Sequence, residues 1–544
     1  MAATQIDTHP TPGAVPHYDA VVIGAGMSGL YLIVRLRELG LSVRAFEAGS
    51  GVGGTWYWNR YPGCRFDSES WAYGYSWSEE VLQEWNWSEH FAPQPETERY
   101  LNYVADKFDL RRDIEFSSRI RSAHYDADAN RWAVETEHGQ RVTAHYLITA
   151  VGVLSKPYIP DFPGRDSFKG LSLHTSHWPK EPLDLSNKRV AVVGSGATAV
   201  QLITEVGKNV GHMTVFQRTP NYCLPLRNSP ISDEEMARIK TEYPEIFRKC
   251  RESFGAFVYN FDMRSAFDVD DAERRRIYEE MYAEPGFRIW LGNFFDILTD
   301  KRANDTMAEF VREKIRERIE DPAVADKLVP TNHPFGTKRV PLESGYYETF
   351  NQDNVELIDI NTDPIECITE NGMRTRERNF EFDVIIFATG FDAVTGSLVD
   401  MDIRGRDGQA LADKWADGPR TYLGMSVSGF PNLFITVGPQ NAASFCNVPR
   451  CLEQNVEWVT DCIRHLEAGG KTRIEAEAGA EESWNDHCGQ LIAETLLPQT
   501  DSWFMGANIP GKKRVFLNYA GGAVEFRQQC DAVTQSGYKG FTIS

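Results

Sequence analysis

The chain has 544 residues and a formal net charge of −21, with 42% hydrophobic and 25% charged residues. Such a length allows roughly three or four domain-sized units of ordinary globular composition. The acidic excess argues against nucleic acid or an anionic membrane as partner, and no apolar run reaches the roughly 18 residues that span a bilayer. Residues 1–17 are polar, with Pro10, Pro12 and Pro16, and are expected to form a disordered lead-in rather than a signal peptide.

The first predicted unit, βαβ, covers 19–60. Its apolar run Asp19–Ile23 enters Gly24-Ala25-Gly26-Met27-Ser28-Gly29. A strand that turns sharply into a helix facing a pyrophosphate needs glycine for the turn and for close backbone approach, and a small third residue for helix packing. The free N–H groups of the helix end then bind the anion. Glu47 lies 23 positions after Gly24 and closes the next strand. An acid there suits an unmodified ribose, so this unit reads as an FAD site. After Gly53-Gly54, the cluster Thr55-Trp56-Tyr57-Trp58 is expected to wall the flavin, with Thr55 and Trp56 nearest to it.

Residues 61–120 read as aromatic loops with a helix near Glu98–Phe108. Arg131–Val134 and Arg141–Thr149 alternate as strands. Small residues and Pro157, Pro160 and Pro163 after Thr149 mark an exit from the first unit. A second βαβ unit covers 188–219, with Arg189–Val193 running into Gly194-Ser195-Gly196-Ala197-Thr198-Ala199. Here the position 23 after the first glycine is Gln217, followed by Arg218 and Thr219, and no acid occurs between Glu205 and Asp233. A neutral residue followed by arginine suits a 2′-phosphate, which a carboxylate would repel. The second site therefore reads as NADP(H), and the pair as equipment for passing electrons from nicotinamide to flavin.

Residues 224–334 turn charged and helical. Met307, Phe310, Val311, Ile315 and Ile319 recur on one helical face, and the segment reads as an insertion forming a lid or wall. Sheet-like sequence resumes near 335–388, and Asp383–Phe387 reads as a buried parallel strand. The expected fold is α/β, with two Rossmann-like dinucleotide-binding domains and a helical insertion. The FAD domain takes 18–152 and 390–544, and the NADP domain takes 153–223 and 335–389. The nine cysteines are scattered, as in a reducing compartment, so the cytoplasm is the expected location. Cys446 and Cys451 are not expected to form a redox pair, and the twelve histidines show no HxxxH or Cys/His metal cluster.

Between the glycine motifs stands Phe168-Lys169-Gly170-Leu171-Ser172-Leu173-His174-Thr175-Ser176-His177-Trp178-Pro179. It resembles the FxGxxxHxxxWP fingerprint of type I Baeyer–Villiger monooxygenases, and with both glycine motifs in order the resemblance covers nearly the whole chain. It implies tightly held FAD, NADPH as reductant, and a ketone converted with O2 to an ester or lactone through a C4a-peroxyflavin. Arg339 is the candidate for the fixed cation that this chemistry needs, because arginine stays protonated and its planar group can face an oxyanion. By resemblance, Asp67 pairs with Arg339 beside the flavin, and Tyr73 is a flavin neighbour. Lys338 contacts the 2′-phosphate with Arg218 and Thr219, and Arg339 and Trp503 lie near NADP. Ala443, Ser444 and Phe445 align with a substrate-pocket loop. His174 is assigned a conformational role, with general base as the alternative. Val153 and Phe445-Cys446 depart from the family pattern and leave pocket shape open. The competing reading is a flavin-containing monooxygenase that oxygenates nitrogen or sulfur. The protein is expected to be a monomer or small homo-oligomer.

Overall fold

The computed structural model describes residues 15–442 and 446–544. Its first sheet has eight strands, in the order Asp402–Arg404, Ile120–Asp126, Arg131–Thr136, Arg141–Thr149, His17–Ile23, Val43–Phe46 and Ile114–Glu115. Leu433–Ile435 adds to the far half of Arg141–Thr149. The central strands are parallel: Ile23 lies beside both Phe46 and Thr149. Ala20, Val21 and Val22 are fully buried, the continuous apolar burial expected of a parallel strand covered on both faces. The strand starts at His17, the last residue of the expected lead-in, of which residues 1–14 lie outside the described residues.

The second sheet has five parallel strands in the order Val355–Asp359, His212–Gln217, Arg189–Val193, Val384–Phe387 and Leu171–His174. Each sheet thus combines strands from distant parts of the chain. The first recruits 402–404 and 433–435, and the second recruits 355–387. The helix Val448–Ala468 packs against Met27–Glu38, the helix that follows the first glycine turn.

The segment 224–334 is helical, as expected. Helices Asp233–Glu252, Asp271–Ala283, Lys301–Arg316 and Pro322–Leu328 begin at Ser232, Asp270, Asp300 and Asp321, whose side chains accept from first-turn N–H groups. These caps satisfy donors that a helix cannot pair internally. Met307, Phe310, Val311 and Ile315 form the buried face of the third helix. Ile319 lies beyond its end but is buried too.

Two features differ from expectation. A three-stranded antiparallel sheet, Ile365–Thr369, Gly372–Thr375 and Asn379–Glu381, stands beside the second parallel sheet. Cys446 and Cys451 are joined as a disulfide. Cys446 lies just before the helix Val448–Ala468 and Cys451 in its first turn, so the turn brings together two sulfurs already close in sequence. The expected pocket loop Ala443-Ser444-Phe445 lies outside the described residues.

Candidate active site

The first glycine turn is held open by sterics. Gly24 has φ +108°, and a Cβ there would come 2.5 Å from the Ala150 carbonyl oxygen. A Cβ on Gly29 would meet the Gly24 oxygen at 2.0 Å, which explains the third small position. The helix Met27–Glu38 begins at Gly26 with no side-chain cap, leaving its end N–H groups for an anion. Ser28 is buried in its first turn. Glu47 is 5% exposed and receives the N–H groups of Ala25 at 2.8 Å and Gly49 at 2.7 Å. A carboxylate so fixed still has acceptor capacity for ribose hydroxyls.

A second turn meets the first. A Cβ on Gly54 would lie 2.9 Å from Gly26 Cα, so the backbone contact tolerates only glycine. It sets the short helix Thr55–Trp58 beside the glycine turn. Thr55 is exposed there and Trp56 is buried. The Trp56 indole N–H donates to the Tyr73 hydroxyl at 3.1 Å, and Tyr73 stacks on Phe66 with centroids 4.1 Å apart. The residues expected around FAD therefore converge, and an open helix end with a buried acid one strand away fits its pyrophosphate and ribose.

The second turn repeats this design. Gly194 has φ +118°, and its Cβ would lie 2.4 Å from the Ala388 oxygen. Space above Gly196 is open, and the helix Ala197–Val206 lacks a side-chain cap. Ser195 donates to the Thr219 carbonyl at 2.7 Å, which ties the turn to the end of the next strand. Thr198 lies half-buried and Ala199 fully buried in the first helical turn. Arg218 is exposed, and Lys338 is half-buried with its ammonium on the Asp501 carbonyl. Burial, then the nearby charge of Arg218, pulls the Lys338 pKa down to about 8. Two cations that repel each other are suited to a 2′-phosphate.

Arg339 and Asp67 meet across 272 positions of sequence. Nη1 of Arg339 donates to Asp67 Oδ2 at 2.7 Å and to the Val340 carbonyl at 2.8 Å. The guanidinium carbon lies 5.0 Å from the centroid of the Phe287 ring, within cation–π range. The Arg339 side chain is 31% exposed and that of Asp67 only 3%. Burial raises the Asp67 pKa, and the Arg339 charge opposes that rise. The pair is thus a buried anchor carrying a cation whose outer face is reachable.

The Phe168–Trp178 fingerprint is structural at several positions. A Cβ on Gly170 would collide with the Phe168 ring at 2.5 Å and the Asp383 oxygen at 2.6 Å. Leu171–His174 is the edge strand of the second sheet, with His174 beside Phe387. His174 is buried, with Nδ1 2.8 Å from Ser176 Oγ and Nε2 3.2 Å from the Gly390 carbonyl. Burial lowers its pKa to about 4, so it is neutral at pH 7. Trp178 is buried in the main core. Trp503 packs with Val153, Val394 and Leu517 where the chain crosses between the two sheets. Phe287 and Gln201, which touch the Arg339–Asp67 pair, were not singled out in the sequence. No motif marks either of them, because only the fold carries them there.

Residues 18–228 match the model of a family described as flavin-binding monooxygenase-like. The 2-oxo-Delta(3)-4,5,5-trimethylcyclopentenylacetyl-CoA monooxygenase of Pseudomonas putida is 45% identical, covering 97% of this chain and 99% of its own. The acetone monooxygenase (methyl acetate-forming) of Gordonia sp. (strain TY-5) is also 45% identical, over 97% of this chain and 99% of its own. The crystal structure of OTEMO in complex with FAD and NADP superposes with a TM-score of 0.95 at 45% identity, covering 98% of this chain and 100% of that one. The chain belongs to the Baeyer–Villiger monooxygenases. As a Baeyer–Villiger monooxygenase it is an enzyme that uses FAD and NADP(H), and its two glycine turns fit those two dinucleotides. Among the described residues no helix is long and apolar enough to cross a membrane.

Proposed function

We propose that the protein inserts one atom of O2 beside the carbonyl of an aryl or cyclic ketone, giving an ester or lactone. NADPH supplies two electrons, and the second oxygen atom leaves as water. Bound FAD, once reduced, supplies the activation of oxygen. The observation that carries this reading is the half-exposed Arg339 cation anchored on buried Asp67.

The chain's own residues divide the remaining work. Arg339 supplies a fixed positive charge for the anionic oxygens that develop during attack on the carbonyl. Preorganised charge of this kind lowers a barrier without reorganisation cost. Asp67 orients the guanidinium, and Phe287 covers part of it, which excludes water and strengthens its field. The first turn, with Gly24, Gly26, Ser28, Gly29 and Glu47, holds FAD, with Thr55, Trp56 and Tyr73 at its ring system. The second turn, Gly194–Ala199, holds the NADP pyrophosphate. Arg218, Thr219 and Lys338 would take its 2′-phosphate, with Trp503 near the nucleotide. His174 ties the edge strand to Gly390 and so acts on conformation. Both ring nitrogens are engaged, by Ser176 and by the Gly390 carbonyl, which supports that role over general base.

The division into an FAD domain (18–152 and 390–544), an NADP domain (153–223 and 335–389) and a helical wall (224–334) is part of the proposal. It is supported by the two sheets, each built from both of its segments. Action in the cytoplasm, as a monomer or small homo-oligomer, is part of the proposal; seven of the nine cysteines are free, which supports a reducing compartment, while Cys446 and Cys451 are paired. Incubating holoenzyme and NADPH with a panel of aryl and cyclic ketones under labelled O2 tests the function. One labelled oxygen per ester is the expected result. No ester from any ketone, with amine or sulfide oxidation instead, contradicts it.

A further inference from the structure

Asp67 divides its two carboxylate oxygens between different partners. Oδ2 takes Arg339, Oδ1 faces Gln201 Nε2 at 3.5 Å, and the carboxylate also accepts from the Leu342 backbone N–H. Gln201 belongs to the helix Ala197–Val206, which begins at the second glycine turn. The same Nε2 donates to the Arg65 carbonyl at 3.0 Å, and its Oε1 accepts from the Tyr61 hydroxyl at 2.9 Å. Tyr61 is buried, and burial raises its pKa well above the usual value, so the hydroxyl stays a donor. Backbone packing reinforces the contact. A Cβ on Gly63, at φ +82°, would lie 2.7 Å from the Gln201 backbone carbonyl oxygen and 2.8 Å from Glu205 Cγ. The loop 61–67 is therefore pressed on this helix and held by the Gln201 amide, with Thr198 of the same helix also hydrogen-bonded to Tyr61.

We propose that Gln201 is a positioning residue that couples the helix of the NADP site to Asp67 and, through it, to Arg339. The inference rests on Arg339 being the working cation. The helix whose N-terminal end holds the nucleotide lies one turn from a side chain that grips the anchor of that cation. A shift of the helix reorients Asp67, and the guanidinium follows. Nucleotide occupancy then sets the electrostatics of the oxygen site without touching it. Coupling of this kind can be carried by a chain of hydrogen bonds between packed elements, and here that chain passes through the Gln201 amide.

The test compares Gln201→Leu, Gln201→Glu and wild-type holoenzyme. Three quantities are read: ester formed per NADPH consumed, anaerobic flavin reduction rate, and KM for NADPH. In Q201L the ester yield should fall at least fivefold, with hydrogen peroxide rising to match. Reduction rate and KM should stay within twofold. Q201E places a second carboxylate against Asp67 and should be worse at high pH. Its yield should recover as pH falls and the new acid becomes a neutral donor, a pH response absent in wild type. Wild-type yield in Q201L overturns the proposal, as does a loss shared equally by reduction and KM, or a pH-independent Q201E. Arg339→Ala is the control: if it still makes ester, the underlying reading fails, whereas loss in R339A with none in Q201L defeats the Gln201 inference alone.

Discussion

Lys338 shows how one side chain can report its ligand. Without nucleotide its pKa lies near 8, lowered by burial and then by Arg218. A 2′-phosphate favours the charged ammonium and raises that value. Binding of NADP+ at pH 8 to 9 should therefore take up a proton, and KM for NADPH should climb as pH rises past about 8. NAD+, which lacks the phosphate, should give little uptake. Calorimetry of both nucleotides in buffers of different ionisation enthalpy measures this, and equal uptake would remove Lys338 from the phosphate site. The Glu47 and Gln217-Arg218 contrast was legible in sequence because ribose recognition depends on residue type at a fixed distance from the turn. Asp67 was legible only through family resemblance, since a lone acid in a loop more often caps a turn. Gln201 left no trace, because its partners Tyr61, Arg65 and Asp67 lie 134–140 positions away.

Elements with strong burial were the easiest to foresee. Val190, Val192 and Ile386 are fully buried, and such strands must read as apolar runs. The antiparallel pairing within 365–381 did not stand out from the sheet-like stretch 335–388, because only four of its twelve strand residues are buried and Ile365–Thr369 carries a bulge, which breaks the alternation. The edge strand Leu171–His174 was visible only as a fingerprint. Its glycine has a structural cause, and Gly170→Ala tests it. The added methyl has no room between Phe168 and the Asp383 carbonyl, so the variant should lose about 1–3 kcal/mol of stability and melt several degrees lower. An unchanged melting temperature would show that the strand shifts freely and that His174 is not held in register by Gly170.

The molecule as a whole carries two parallel sheets, each entered through a glycine turn, with the loop 61–67 laid on the helix that follows the second turn. Residues 61–67 leave the FAD unit, lie on the NADP helix, and end at the acid that anchors Arg339. The paired motifs revealed both sheets in advance, but the meeting of Arg339 with Asp67 depends on chain returns that no local pattern encodes. The decisive measurement is Arg339→Ala, followed by stopped-flow reduction with NADPH in the absence of oxygen and then by ester yield after oxygen is admitted. Flavin should still bleach at a rate comparable to wild type, while ester formation falls by about 100-fold or more, the usual effect of removing one such contact. Ester made at the wild-type rate by the alanine variant would contradict the account.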